Sequence, residues 1–498
     1  MTAGSPVIDA SRQDFPRTAT AFAEMADGEA TLAHVVDLES RWNRRDAIEI
    51  REVGPDDGAT LDFDVLLAGG GLSLFYGAYL ASRGMKVAIF DRGAIGRGHR
   101  EWNASRRELA PLVASGLFTS DETDALVEAE YKDGICRWHE GGTYPVRGVL
   151  DVVVAAAPLL EGLRARAERA GATMLPYHAL MGYALGPGGI EVKLASDTGT
   201  RTISGRVMLD GTGAASAHAR FDLVCPTVGG VLADIPLGDA DDELDPKRGE
   251  ILVTTEHIEA GRQHIWEGFP SRDNVLTTYL FYYDEPARMP ARPLLSLYER
   301  FFETLPRYKR GKPRLTRATY GYIPAYTRLR PMPASPCDRV LLVGDAAARH
   351  SPLTFCGFGS MLRSFQPVSD ALLACLAEDR LSRRSLSACW SEPPALRVMG
   401  GLTLMMAERP DHPRQPAEVN QLLDAAFKTL HEMGQDVYAA FVRDEIGFRE
   451  FISFMQATAE LRPSMYEDVF AHLGPVELAR WSLRLGGLGF ARYRTPRS

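Results

Sequence analysis

Cysteine is scarce in this sequence, and neither a long apolar run nor an excess of basic residues is present. Six cysteines are scattered among 498 residues without a Cys-x-x-Cys pair, so neither a disulfide framework nor a thiolate zinc site is predicted. The net charge of −9 argues against a general nucleic-acid binder, because such proteins need a basic face. His-Glu-x-x-His spacing is also missing, and no metal site is predicted.

The first residues carry no targeting signal that we recognise. Residues 1–16 are polar and lack an apolar central segment, so we expect a cytoplasmic protein with reduced thiols. The most apolar stretch, 65–81, contains three consecutive glycines, which indicates a strand, a turn and a helix rather than a membrane span. The basic run 307–314 indicates a solvated loop, with peripheral contact to an anionic membrane surface as the alternative.

Hydrophobic periodicity and breaker residues predict alternating strands and helices in the first half of the chain and mostly helices after residue 380. A capping-box pair, Thr119 and Glu122, predicts a helix running to about residue 131. The predicted helices cover 29–45, 72–83, 150–170, 294–304, 360–377, 419–433 and 436–457. The predicted strands include 63–68, 86–90, 206–210, 251–255, 275–283 and 339–343.

The first motif that indicates chemistry is the turn Gly69, Gly70 and Gly71 between a predicted strand and helix. Glycine there lets backbone N–H groups approach a pyrophosphate at a helix N-terminus. The third glycine of the usual G-x-G-x-x-G pattern is replaced by Leu74. Asp91 ends the next strand, where a carboxylate holds the ribose of an adenosine, and Arg92 beside it is a further candidate. We predict a dinucleotide site.

A second motif follows the predicted strand 339–343. Its residues are Gly344, Asp345, Pro352, Gly357, Phe358 and Gly359. A similar arrangement binds the flavin in flavoproteins of the p-hydroxybenzoate-hydroxylase type. That resemblance implies that Asp345 bonds the ribityl chain and that the following helix points its positive end at the isoalloxazine. Its position far downstream of Gly69 favours FAD over NAD.

A third motif, residues 100–109, reads REWNASRREL. It resembles the E-W-N-x-S-R-x-E-L segment of the FAD-dependent lycopene cyclases of photosynthetic bacteria and plastids. The stretch 266–270 is similar to the W-E-x-F-P strand of that family, and 351–360 to its flavin loop. The resemblance spans about residues 60–460. The family turn is closer to G-G-T-L-G, so Gly71 and Ser73 depart from it.

The resemblance implies an α/β fold with a Rossmann-type FAD-binding domain, a β-sheet substrate domain and a helical C-terminal domain. The expected boundaries are 61–220 plus 331–380 for the FAD-binding domain, 221–330 for the substrate domain and 381–498 for the helical domain. Residues 1–60 form a partly helical N-terminal extension. FAD is the implied cofactor, with NAD(P)H or a flavin-reducing partner as electron source and an apolar small molecule as substrate.

The resemblance also implies a reaction, acid-catalysed ring closure at the ends of a linear polyene without net redox change. One alternative is a flavin-dependent oxidoreductase, either a monooxygenase, a reductase or a halogenase. The halogenase version is the weakest, because no W-x-W-x-I-P segment is present. Another alternative is a non-catalytic flavin-bound carotenoid or lipid binder.

Glu267 is the predicted proton donor in the cyclase hypothesis. A donor must stay uncharged at neutral pH, which requires burial among apolar groups. Alternate residues of a strand share one face, so Tyr279, Phe281 and Tyr283 are expected to line an aromatic channel beside it. In the plainer alternative, Glu267 caps a loop or pairs with Arg262.

Six other residues compete for roles in the site. Asp284 and Glu285 are candidate acids, but a strand end beside a proline would leave them ionised by solvent. Glu101 and Trp102 of the third motif are further catalytic candidates. Arg106 and Arg107 are predicted to lie against the flavin or its pyrophosphate, because arginine offers a permanently charged fork. In the alternative Arg106 pairs with Glu108 or with a helix end.

Overall fold

The structure is a computed structural model that describes residues 11–44, 48–51, 53–98, 101–325, 334–349, 357–391, 394–407 and 414–491. Its strands are β1 (Glu49–Arg51), β2 (Phe63–Ala68), β3 (Val87–Phe90), β4 (Trp102–Ala104), β5 (Val127–Glu130), β6 (Asp133–Arg137), β7 (Thr143–Val146), β8 (Val152–Val154), β9 (Thr173–Leu175), β10 (Ala179–Leu185), β11 (Ile190–Ser196), β12 (Gly199–Asp210), β13 (Leu223–Ala233), β14 (Arg248–Val253), β15 (Ile265–Pro270), β16 (Leu276–Phe281), β17 (Arg314–Ala325) and β18 (Val340–Leu342). Its helices are Pro16–Ala23, Gly28–Arg44, Leu74–Ser82, Ala110–Ala114, Ser120–Ala125, Ala156–Arg169, Pro293–Tyr308, Gly357–Ala377, Arg383–Ser387, Pro394–Thr403, Glu418–Glu432, Gln435–Val442, Phe448–Leu461 and Met465–Ala491.

The first sheet has eight strands in the order β1-β10-β11-β12-β2-β3-β9, and β18 pairs with the end of β12. Strands β12, β2, β3 and β9 run parallel, as does β18 beside β12. Parallel strands of this kind are apolar because both faces are covered. Helices Leu74–Ser82, Ala156–Arg169 and Gly357–Ala377 pack on one face, in a core that includes Leu67, Leu163 and Phe365.

The second sheet has seven strands in the order β17-β13-β16-β15-β14-β6-β7 and separates two apolar cores. One face, which includes Phe281, packs against the C-terminal helices. The other face, which includes Trp266, packs against helix Pro293–Tyr308 and the N-terminal helices. Strand alternation thus produces two opposite buried surfaces from one sequence segment. A third, three-stranded sheet has the order β4-β8-β5.

The long helix predicted over 150–170 is wrong at its start. Val152–Val154 forms the central strand of the three-stranded sheet, and the helix is Ala156–Arg169. Three consecutive β-branched residues favour an extended backbone, which packs well between two partner strands.

The capping box of Thr119 and Glu122 is confirmed, and both of its hydrogen bonds are present. The helix it begins, Ser120–Ala125, ends about six residues earlier than predicted, because β5 follows directly. The cap fixes where the helix starts, whereas its end is set by the pairing of β5 with β8.

The continuous helix predicted over 436–457 is also wrong. The chain forms two helices there, Gln435–Val442 and Phe448–Leu461. Between them Asp444 adopts a left-handed backbone conformation with φ of 59°, which a continuing right-handed helix excludes.

The basic run 307–314 is not the solvated loop that its composition indicates. Lys309 is 1% exposed and its Nζ lies 2.7 Å from Glu250 Oε1, while Arg307 pairs with Glu256 at 3.1 Å. Acids of the neighbouring strands and loops therefore neutralise much of this charge. The membrane contact stays a prediction. No helix in the described ranges combines the length and the apolar character that crossing a bilayer requires.

Candidate functional site

A cleft between the two large sheets brings the second and third motifs together. Its empty volume is about 1060 Å³, counting the open solvent at its mouth. The lining comes from the second motif (Gly344, Asp345, Gly357, Phe358), the third motif (Glu101, Trp102, Asn103) and the seven-stranded sheet (Thr227, Glu267, Phe269, Tyr279, Ile323). Residues more than 250 positions apart thus share one cavity.

The first glycine turn has the geometry that close backbone packing requires. Gly69 has φ of 113°, and a Cβ there would lie 2.6 Å from the carbonyl oxygen of Gly211. Both carboxylate oxygens of Asp91 accept backbone hydrogen bonds at 2.7 Å, from Gly70 N and Gly93 N. Asp91 therefore braces the turn, and its remaining lone pairs can still accept a ribose hydroxyl. Arg92, beside it, is exposed.

The missing third glycine of this motif is replaced by one further along the helix. A Cβ on Gly77 would lie 2.7 Å from Ile89 Cδ1 and 2.9 Å from Leu67 Cδ2, so Gly77 provides the close helix–strand contact. Leu74, at the expected glycine position, is a buried core residue. Sequence reasoning missed Gly77, and its signal was a glycine three residues, about one helical turn, after Leu74.

The second glycine motif forms a tight turn after β18. Gly344 has φ of 59°, and Ala348 leaves the turn in a left-handed conformation with φ of 48°. Arg349 follows, lines the cleft and lies with its guanidinium carbon 5.8 Å from the Trp390 ring centroid. Sequence reasoning missed Arg349 as a candidate. Pro352 lies outside the described residues.

The third motif contacts the helix Gly357–Ala377, which begins within the flavin-loop segment 351–360. Trp102 stacks on Phe358, with ring centroids 5.3 Å apart. Glu108 is buried; its Oε2 accepts a hydrogen bond from Ser105 N at 2.8 Å, and its Oε1 forms an ion pair with Arg363. A Cβ on Gly359 would lie 2.4 Å from that same carboxylate. Gly359 therefore makes room for Glu108.

The two neighbouring arginines point to other partners in this structure. Arg106 forms an ion pair with Asp124, and Arg107 lies 3.1 Å from Glu445. Neither lines the cleft. The predicted contact of Arg106 and Arg107 with a flavin stays a prediction. In the alternative Arg106 pairs with Glu108, but in the structure Glu108 forms its ion pair with Arg363.

Glu267 lies in β15 at the centre of the seven-stranded sheet and is 6% exposed. Its Oε1 has no hydrogen-bond partner among the residues that the structure describes. Burial without a compensating charge raises the pKa of Glu267 well above its ordinary value, because the ionised form loses its hydration. Burial therefore favours the protonated form of Glu267, and a protonated carboxyl group that lines the cleft can donate a proton into it.

Two of the other acids, Asp284 and Glu101, pair with arginines. We expected Asp284 to be solvated, but it is buried. It accepts hydrogen bonds from Arg262 Nε at 3.1 Å and Nη2 at 2.8 Å. Arg262 therefore pairs with Asp284, and the alternative in which it pairs with Glu267 is wrong. Glu101 lines the cleft but forms an ion pair with Arg317, and Glu285 is exposed.

The predicted aromatic face is confirmed. Tyr279, Phe281 and Tyr283 belong to one buried cluster on the face that also carries Phe269. Trp266, next to Glu267 in β15, lies on the opposite face and stacks on Tyr308 with centroids 4.4 Å apart. Adjacent residues of a strand point to opposite faces of the sheet.

One cluster of potential metal ligands lies outside the cleft. Ligand atoms of His139, Glu140 and His257 are all within 4.8 Å of one another. The amide nitrogen of Asn420 lies 3.4 Å from His257 Nδ1, and His257 Nε2 lies 3.3 Å from Glu140. A proton on Nε2 satisfies both contacts as ordinary hydrogen bonds. The cluster needs no ion, and the absence of a metal site stays a prediction.

Comparison with known proteins establishes the fold. No family model matches the chain, and no curated protein is similar to it in sequence. Among solved structures, a geranylgeranyl bacteriochlorophyll reductase-like protein from Thermoplasma acidophilum is 16% identical, with a TM-score of 0.52 over 85% of this chain and 99% of that one. Halogenase PltM, solved with phloroglucinol and FAD, is 13% identical, with a TM-score of 0.54 over 87% and 93%.

A third similar structure is the p-nitrophenol 4-monooxygenase PnpA from Pseudomonas putida DLL-E4. It is 16% identical, with a TM-score of 0.51 over 79% of this chain and 99% of that one. These likenesses confirm the predicted fold class, α/β with a Rossmann-type first domain, a β-sheet second domain and a helical C-terminal region. The chain therefore has the fold of FAD-dependent flavoenzymes. At such low identities, the fold leaves the particular reaction open.

Proposed function

We propose that this protein is a FAD-dependent enzyme that closes a ring at the end of a linear polyene without net oxidation or reduction. One observation carries the proposal. Glu267, whose pKa is raised by burial well above its ordinary value, lines the same cleft as Asp345 and Gly357 of the second glycine motif. An uncharged acid beside a flavin site suits proton donation better than hydride transfer, which needs no acid at that position.

The residues around the cleft fit a flavin. Trp102 Nε1 and Asn103 Oδ1 are buried without partners among the described residues, and both side chains line the cleft. Buried polar atoms normally have partners, so these two suit a bound polar group. We expect the adenosine end at Gly69, Gly71 and Asp91, and the ribityl chain at Asp345. Reduced FAD supplies negative charge that stabilises a cation electrostatically.

Glu267 donates its proton to the terminal double bond of the polyene. The positive charge then rests on the more substituted carbon, and a nearby double bond attacks it to close a six-membered ring. Loss of a proton from the carbon beside the new cation restores a double bond, and the Glu267 carboxylate accepts that proton. The product has the mass of the substrate. The Tyr279 ring stabilises the cation by about 0.5–2 kcal/mol where water is excluded.

The test is anaerobic incubation of the FAD-loaded, dithionite-reduced protein with lycopene, followed by chromatography and mass measurement. A product of unchanged mass and altered spectrum supports the proposal. A gain of oxygen or hydrogen would replace it with the oxidoreductase alternative. Binding without any product would leave the non-catalytic binder. NAD(P)H or a reducing partner should be needed once to prime the flavin rather than at every turnover.

Substitution of the acid locates the chemistry. Glu267→Gln keeps the shape of the side chain and removes the proton, so ring formation should fall by at least about a hundred-fold, the usual contribution of a positioned general acid. Asp284→Asn is the matched control, because that acid pairs with Arg262 and lies outside the cleft lining. Normal turnover in Glu267→Gln would move the role to Glu101.

A further inference from the structure

A second cavity lies on the same sheet face as Glu267, under the C-terminal helices. Its empty volume is about 730 Å³, counting open space at its edges. The sheet side is formed by residues such as Ile265 and Tyr283, and the helix side by residues such as Phe427 and Met455. We name this cavity the helical chamber. No charged side chain is among its described lining residues.

The helical chamber and the cleft are neighbours along one face. Ile265 precedes Glu267 by two residues in β15 and faces the same side, so the chamber wall begins about 7 Å from the acid. On the adjacent strand Tyr279 lines the cleft, and Tyr283, four residues later, lines the chamber. The two cavities are therefore adjacent along this face, with the buried Phe281 between Tyr279 and Tyr283.

Two polar groups of the lining have no hydrogen-bond partner among the described residues. Trp138 is 2% exposed, and its indole Nε1–H has no hydrogen-bond partner in the described part of the chain. The Thr458 hydroxyl is also buried and unpartnered there. Both residues line the chamber. An unpaired buried donor costs about 1–3 kcal/mol, so the chamber is better matched to a ligand that carries an acceptor than to a pure hydrocarbon.

We propose that the helical chamber binds the distal part of an elongated, uncharged apolar molecule that carries one hydrogen-bond acceptor, a ketone, ether or hydroxyl oxygen. Trp138 donates to that oxygen, and the Thr458 hydroxyl is its second partner. The flexible side chain of Met455 adapts to the chain that lies beside it. The position of the reacting end rests on the proposed function, whereas binding in the chamber does not require turnover.

The test is titration of the FAD-loaded protein with 2-tridecanone and, separately, with tridecane, followed by intrinsic fluorescence and calorimetry. Trp138→Phe removes the donor and keeps most of the ring. We expect the affinity for 2-tridecanone to fall about five-fold, the worth of one hydrogen bond, and the affinity for tridecane to change less than two-fold. Trp266→Phe, equally buried on the opposite sheet face, should change neither affinity.

Two further variants keep the proposal open to refutation. Ala426→Phe places a ring in the chamber and should abolish binding of both probes. Thr458→Val should weaken only the ketone, and it tests the polar contact if Trp138→Phe fails to fold. Unchanged binding in Ala426→Phe, or equal losses for both probes in Trp138→Phe and Thr458→Val, would overturn the proposal. Ketone binding that is normal in a protein without cyclase activity would instead refute only the proposed function.

Discussion

The acids around the cleft differ in whether an arginine faces them. Glu101 and Asp284 each pair with a guanidinium, whereas Glu267 has neither a charged partner nor a hydrogen bond to Oε1 among the described residues. Removing a carboxylate from water without such compensation favours its protonated form. The raised pKa of Glu267 thus follows from the lack of a charged partner among the described residues.

The buried acid makes stability depend on pH. The pKa of Glu267 in the folded protein lies above its unfolded value of about 4.3, so its stabilising contribution is complete below pH 4.3 and is lost as pH rises through the folded pKa. Glutamine does not titrate. We expect Glu267→Gln to gain stability relative to the native protein as pH rises from about 4.5 to 8, measured by urea unfolding. Parallel pH curves would contradict this.

Asp284→Asn serves as the opposite-sign control for that measurement. Its carboxylate lies 2.8 Å from Arg262, so the substitution removes an existing pair instead of an isolated charge. Breaking a buried ion pair from one side is destabilising. The asparagine variant should therefore be less stable than the native protein at neutral pH.

Two glycines of one turn should respond differently to alanine. Gly69→Ala forces a side chain into φ of 113° and against the Gly211 carbonyl at 2.6 Å, so we expect a loss of at least ~1–3 kcal/mol of stability. A Cβ on Gly71 meets nothing within 4 Å. Gly71→Ala should leave unfolding unchanged and lower FAD affinity, because its methyl group occupies the space where a pyrophosphate would approach. Equal effects on both measurements would refute this assignment.

At the scale of elements, one ion pair joins the third motif to the helix Gly357–Ala377. The side chain of Glu108 is 1% exposed, and that of Arg363 is 27% exposed. We expect Glu108→Gln to cost roughly 2–3 kcal/mol in urea unfolding, below the 3–5 of a fully buried pair, because Arg363 keeps contact with water.

A second capping box provides the matched control. Glu108 closes a capping box with Ser105. Glu122 has the same position in the box that begins at Thr119, but its side chain is 49% exposed and pairs with Arg166. Exposed pairs contribute about 0–1 kcal/mol, so Glu122→Gln should cost less than 1 kcal/mol. If both variants lost the same stability, the cap rather than the ion pair would account for the effect.

Local signals predicted the elements and turns that depend on neighbouring residues. The sequence predicts the Thr119 cap, the Gly69 turn and the alternating aromatics of β16, because neighbouring residues determine these features. The strand Val152–Val154 was not predicted, since its stability comes from pairing with β4 and β5. The burial of Lys309 could not be predicted from its sequence neighbours either, because its partner Glu250 is 59 residues away.

The same limit applies to the candidate site. Its glycine turns and Glu267 could be named from the sequence, since glycine spacing and apolar neighbours are local features. That Arg262 would bind Asp284 and leave Glu267 alone depends on how β15 and β16 meet the loops that flank them. Arg349 had no motif to mark it. The cleft itself is a product of the whole fold, because its walls come from two sheets.

At the scale of the whole molecule, the proposed flavin site is assembled from distant segments. In the proposal, the adenosine end lies at residues 69–91 and the ribityl end at Asp345, and the substrate side is formed by the second sheet, whose residues line the cleft. The unfolded chain cannot present these groups together, so FAD should bind only the folded protein. A ligand that binds only the folded state stabilises it by RT ln(1 + [L]/Kd), about 2.7 kcal/mol at a hundred times Kd.

The melting temperature should therefore rise with FAD concentration, and the Asp345→Ala protein should lose that dependence. Without the carboxylate, the ribityl chain lacks its charged hydrogen-bond partner, a loss of about 1.5–3 kcal/mol, so the variant should purify folded and largely colourless. Asp197→Ala, in the exposed turn between β11 and β12, is the control and should melt like the native protein at every FAD concentration. A yellow Asp345→Ala protein with a normal FAD-dependent melting temperature would remove this aspartate from the site.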